Sequence, residues 1–146
     1  MTKKSTDGPI DHIGLDLVLA ARAWRRRLGA AMAERGHGWL AEGRGALVEH
    51  IARKGTSQLD ITRRAGMTKQ AVQQHLDELV ADGVVARAPD PEDGRRNLVL
   101  FTAKGLAALR EADDIKRQIE RDYARILGHE NFERLREFLR LLNAAS

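Results

Sequence analysis

Cysteine is absent from this 146-residue chain, which excludes disulfides, thiolate zinc sites and any thiol-based redox switch within it. No run of about 18 apolar residues is present that could span a bilayer. The first nine residues, from Met1 to Pro9, lack the apolar core of a secretory signal. The five histidines, His12, His37, His50, His75 and His129, never fall at H-x-x-x-H or H-E-x-x-H spacing. A Walker-type glycine loop and a G-x-S-x-G elbow are also missing. Asp113 and Asp114 are adjacent, and neighbouring residues of a helix point in different directions, so they read as a solvated acidic patch and not as a catalytic pair. These absences leave the expectation of a cytoplasmic, non-enzymatic chain, with no cofactor, no metal and no membrane partner, sized for one domain with its own core.

The chain does carry a net charge of +4 and a pI near 9.8. Basicity of this kind suggests an anionic partner, but its placement decides what it is worth. Residues 1–55 hold 10 Lys/Arg against 6 Asp/Glu, residues 56–104 hold 7 against 7, and residues 105–146 hold 8 against 8. The middle of the chain is therefore neutral as a sum. Any electrostatic footprint there has to come from local sorting, with cations near Lys69 and Arg95 and the acids Asp77, Glu78 and Asp82 turned elsewhere.

Residues 1–10 read as a mobile tail. Ile10, Ile13, Leu17, Ala20, Trp24, Leu28 and Ala31 then recur every three or four residues, which predicts an amphipathic helix over residues 11–35 with Arg22, Arg25, Arg26 and Arg27 off the apolar seam. Gly36-His37-Gly38 ends it. A weaker helix is expected from Glu42 to Arg53, presenting Ala46, Leu47, Val48 and Ile51. Gly43 and Gly45 each cost it about 1 kcal/mol relative to alanine.

Ser57 and Asp60 form a capping-box pattern that opens a short helix carrying Leu59, Ile61 and Ala65 inward. Gly66 closes it, Met67 plugs the angle, and Thr68 caps the next helix. That helix, over residues 69–82, buries Val72, Leu76, Leu79 and Val80 and shows Lys69, Gln70, Gln73 and Gln74 on its opposite face near the amino end. A polar helix face is ordinarily just solvated. Here a capped helix precedes it and a hairpin follows. Glutamine can pair with adenine N6 and N7, and lysine can serve guanine or a phosphate.

The β-prone runs Val84–Arg87 and Asn97–Phe101 flank the turn signals Asp90-Pro91 and Asp93-Gly94, so a hairpin is expected over residues 84–101 with Arg95 and Arg96 at its tip. An arginine there can enter a minor groove. Two helices followed by such a hairpin outline a winged helix-turn-helix over residues 42–102. The fold class expected is mainly α with a small β wing, between long amino- and carboxy-terminal helices. Residues 103–146 supply the latter: Thr102 caps a helix burying Leu106, Leu109, Ile115, Ile119 and Ile126, Gly128 breaks it, and a last helix carries Phe132, Leu135, Phe138, Leu139, Leu141 and Leu142. Such a stripe needs a partner, either a second chain or an internal helical hairpin.

These residues resemble the MarR family of winged-helix regulators over nearly the whole chain, most densely from Leu59 to Gly105. The wing pattern D-x-R-x-x-L-x-x-[LF]-T is met by Asp93, Arg95, Leu98, Phe101 and Thr102. The pattern L-x-x-x-G-[LV]-[VI] is met by Leu79, Gly83, Val84 and Val85. Thr62, where the family usually has alanine, and Gln73-Gln74, where Ser-Arg is frequent, depart from it in ways that bear on sequence preference and not on fold. The resemblance implies a homodimer on a pseudo-palindromic duplex DNA operator, acting as a repressor released by a small, aromatic or anionic effector. It makes Arg95 the minor-groove arginine and Asp93 the carboxylate that orients it. The candidate DNA contacts are Ser57, Thr68, Lys69, Gln70, Gln73, Gln74, Arg95 and Arg96. His12, Trp24, Arg25 and Trp39 are candidates for an effector crevice, although Trp24 also fits core packing on its helix seam. The alternative reading is a winged helix that serves as an architectural or protein-interaction module without reading sequence.

Overall fold

The computed structural model describes residues 10–146, so the expected tail lies outside the described residues apart from Ile10, which is exposed. Among the described residues no helix is long and apolar enough to cross a membrane. The periodic first segment forms α1 (Ile13–Glu34), capped by His12, whose Nδ1 accepts the Leu15 N–H at 3.3 Å. Its two ends differ. Leu28 and Met32 are buried, where α1 packs on the following turn and on the long fourth helix, whereas Ile13 and Leu17 are open.

The helix expected from Glu42 to Arg53 is instead a 3-10 segment, Gly43–His50, preceded by a shorter one, Gly38–Ala41. The reason is visible at Gly45, where a Cβ would stand 2.1 Å from the carbonyl oxygen of Leu40. The chain doubles back there too tightly for α geometry, and the narrower turn with its poorer hydrogen bonds accommodates it. Leu47, Val48 and Ile51 still reach the core as expected, while Ala46 stays exposed.

Next come a two-residue strand β1 (Thr56–Ser57), α2 (Gln58–Ala65) and α3 (Lys69–Ala81). Ser57 Oγ accepts the Asp60 N–H at 3.2 Å and Thr68 Oγ1 accepts the Ala71 N–H at 3.1 Å, so both sequence-read caps are made. Gly66 turns the chain between the helices at φ 62°, a left-handed conformation that costs glycine little. Ile61, Val72, Leu76 and Leu79 are fully buried. Leu59 and Val80, expected inside, are 50% and 39% exposed. At about 100° per residue Leu59 lies roughly opposite Ile61, and Val80 sits at the edge of the arc centred on Val72 and Leu79.

The hairpin comprises β2 (Val85–Pro89) and β3 (Asn97–Phe101), paired antiparallel with Val85 opposite Phe101 and Arg87 opposite Val99. Pro89 ends an edge strand, where its missing N–H does no harm. Beyond the expected hairpin, β1 adds to the free side of β3, giving the order β1-β3-β2 with Thr56 opposite Val99.

The chain closes with α4 (Ala103–Leu127) and α5 (His129–Ala144). Thr102 Oγ1 accepts the Gly105 N–H at 3.1 Å and its own N–H donates to Val84 O at 3.1 Å, which seats α4 against the start of β2. A Cβ on Gly105 would come within 2.1 Å of Val84 O, so only glycine permits this approach. Ala108, Ala112, Ile115 and Ile119 of α4 enter the core, and Leu106 and Leu109 are half-buried. Ile126, expected among them, is 77% exposed because α4 has by then run past the core. On α5 only Phe132 is buried.

Candidate nucleic-acid interface

The caps, the Gly66 turn and the buried arc of α3 together fix which side of α3 faces outward. Lys69, Gln70, Gln73 and Gln74 all lie exposed on that side, with Thr68 exposed at its head. Ser57 does not share the face: it is buried, and its hydroxyl is taken up by the cap. What Ser57 contributes is the placement of α2.

The acids of this region are not turned away; they are neutralised in place. Asp77 meets Arg87 Nη1 of β2 at 2.8 Å, Asp82 accepts from Arg44 Nε at 2.6 Å, and Glu78 lies 3.8 Å from Arg44 Nη1 and 3.5 Å from His75 Nδ1. Burial works against the charge on Arg44, but hydrogen bonds to Asp82 and Glu42 outweigh it and raise its pKa, so it stays a cation. Arg44 thereby ties the 3-10 segment to α3. Lys69 and Arg95 form no ion pair with another described residue, so both stay available as cations beside these paired acids.

The turn at the hairpin tip is built by its own aspartates. Asp90 Oδ1 accepts the Glu92 N–H at 2.9 Å and Asp93 Oδ1 accepts the Arg95 N–H at 3.1 Å, the side-chain turns these residues favour. The contact of Asp93 with Arg95 is therefore to the backbone. Its carboxylate stands 3.6 Å from Arg96 Nε instead, so of the two tip arginines it is Arg95 whose guanidinium is unengaged.

The four residues considered for an effector crevice are not gathered at one place. His12 caps α1 at a point about 18 Å along the helix axis from Trp24. Arg25 is exposed, Trp24 is half-buried against the core, and Trp39 is buried in it. A polar feature that the sequence reading passed over lies beside Trp39. His37, taken only as part of a helix stop, sits edge-on to the Trp39 ring with centroids 6.4 Å apart, and its Nε2 is 3.4 Å from Glu111 of α4. His37 Nδ1 and Trp39 Nε1 are both buried without a hydrogen-bond partner. Its only sequence signal was an aromatic and a histidine in a glycine-rich bend. No group of His, Asp or Glu able to hold a metal ion occurs among the described residues.

A capped helix-turn-helix backed by a three-stranded antiparallel sheet with an extended hairpin defines a winged helix-turn-helix. Residues 45–96 match the model of the MarR family. Among curated proteins it is 31% identical over 87 residues to the HTH-type transcriptional regulator TcaR of Staphylococcus aureus, covering 58% of this chain and 57% of that protein. It is 33% identical over 88 residues to the HTH-type transcriptional repressor Rv2887 of Mycobacterium tuberculosis, covering 60% and 61%. The match thus spans only about three fifths of the length of these relatives. Among solved structures, a mutant MarR from E. coli complexed with operator DNA superimposes with a TM-score of 0.69 at 18% identity, covering 89% of this chain and 92% of that one, a likeness of fold.

Proposed function

We propose that the protein is a cytoplasmic, non-enzymatic transcriptional regulator that binds a pseudo-palindromic duplex DNA as a homodimer and represses until a small molecule releases it. The observation that carries this reading is the outward face of α3, where Lys69, Gln70, Gln73 and Gln74 stand exposed while a hairpin holds an unpaired Arg95 to one side. The helix fits a major groove and the arginine the flanking minor groove. The names of TcaR and Rv2887 and the operator complex of MarR support the same role. Dimerisation is supported by apolar residues left open on α1 and α5, among them Ile13, Phe138 and Leu141. A two-fold pair would set two recognition helices about 34–36 Å apart. An effector site is supported by the two orphaned ring nitrogens of His37 and Trp39, which a polar aromatic molecule could satisfy.

The test is a fluorescence titration of the full chain against duplex DNA from the flank of its own gene at two salt concentrations. Tight binding that resists competitor DNA is expected, weakened about tenfold or more by Arg95→Ala with the helical content unchanged. Equal binding to every duplex with a steep salt dependence would favour an architectural module instead.

A further inference from the structure

The carboxamide of Gln73 is held at both ends before any DNA arrives. Its Oε1 accepts from Gln58 Nε2 of α2 at 2.5 Å, and its Nε2 donates to Asp77 Oδ1, one turn further along α3, at 3.1 Å. Asp77 is itself fixed from outside the helix, since the same Oδ1 lies 2.8 Å from Arg87 Nη1 on β2. A carboxylate can only accept, whereas the Gln58 amide can both donate and accept. The direction of the whole chain of bonds is therefore set at the Arg87–Asp77 pair: turning the Gln73 amide over would put its oxygen against a carboxylate. One lone pair on Oε1 and one N–H on Nε2 are left over. Gln74 repeats the pattern more loosely, donating to Glu78 at 3.3 Å, with Glu78 near Arg44.

We propose that Asp77 is a positioning residue for base readout, holding the Gln73 carboxamide in one orientation so that it favours adenine over guanine. This rests on the DNA-binding reading above. Adenine offers an acceptor at N7 and a donor at N6, matching the one N–H and one lone pair that remain. Guanine offers two acceptors and would set O6 against Gln73 Oε1. A free carboxamide can swing its amino group alone towards guanine; a tethered one cannot. Specificity at this base pair is accordingly encoded in three residues that need not touch DNA: Gln58, Asp77 and Arg87.

The experiment selects duplexes from a randomised 24-base-pair library with the full-length protein, Gln73→Ala, Asp77→Asn and Gln58→Ala. The wild type is expected to enrich adenine at one position of each half-site where Gln73→Ala shows no preference. Asp77→Asn should lower the adenine-to-guanine ratio at that position by about tenfold and leave other positions as they were. Gln58→Ala should lower it less, because the carboxylate still orients the amide. A merely electrostatic role would instead raise affinity for all duplexes alike when the negative charge is removed. If Asp77→Asn leaves Arg87 unpaired and does not fold, the double variant with Arg87→Gln removes the stranded cation and reads out the same ratio. A wild-type motif that passes unchanged into the Asp77 variants overturns the positioning role alone. A wild type that enriches no motif overturns it together with the sequence-reading function.

Discussion

The winged region, residues 56–102, and the two ends of the chain carry apolar residues at similar helical spacing and treat them in opposite ways. In the first, Ile61, Val72, Leu76, Leu79 and Val99 are wholly buried. In the second, Ile10, Ile13, Leu17, Ile126, Phe138 and Leu141 are open, Ile10 to 79% and Phe138 to 58%. Burying a large apolar side chain is worth about 1.5–3 kcal/mol relative to leaving it in water. The ends therefore leave a larger apolar surface uncovered than the winged region, where only Leu59 and Val80 among the large apolar side chains are open. One region is finished within the chain. The other leaves apolar faces uncovered, which the proposed homodimer would bury.

The comparison can be broken most severely at its centre. Leu76→Ala is predicted to cost about 2–5 kcal/mol, read as a lower urea midpoint, because Leu76 joins α3 to the core with no exposed surface. A loss below about 1 kcal/mol would mean the winged region is less tightly completed than its burial states. On the other side, Phe138→Asp is predicted to leave the urea unfolding of dilute protein unchanged while weakening self-association about tenfold to a hundredfold by sedimentation velocity. If the wild type is already a monomer, the open ends do not work as an interface between copies.

The smallest effect lies where the two regions are tied together. Asp122 of α4 has its pKa held below the usual carboxylate range, first by the hydrogen bond from Arg27 of α1 and then, against some desolvation, by Gln118 and Arg125. A depressed carboxylate stabilises the fold at pH above its ordinary range, and that contribution is lost as the pH falls through the lowered value. Asp122→Asn is thus predicted to flatten slightly the acid limb of a plot of urea midpoint against pH. An unchanged acid limb would show that the α1–α4 tie is too solvated to matter.

Much of this was legible without coordinates. Both N-caps, the turn at Gly66, the extent of α3, β3 and α4, and the outward set Lys69, Gln70, Gln73 and Gln74 follow from local chemistry acting within four residues. The misses share a cause as well. The 3-10 course of residues 43–50 depends on how closely Gly45 passes Leu40, and β1 is two residues whose pairing exists only because β3 lies alongside. Ser57 reads as a polar contact residue and is consumed as a cap. Asp77 and Glu78 read as acids that must face elsewhere, yet they stay near the outward face of α3 because Arg87 and Arg44 come from distant segments to meet them.

By itself, then, the sequence determined where most helices start and stop, which face of each is apolar, and that a hairpin with two arginines at its tip follows a polar-faced helix, since these are set by backbone capping, turn residues and a period of 3.6 or 2. Only the tertiary structure decided which cations are free, which way the Gln73 amide stands, and which apolar faces remain uncovered. Those depend on residues brought together across 15 or more positions of chain, from Gln58 to Gln73 and from Arg44 to Asp82, and no local pattern records such meetings.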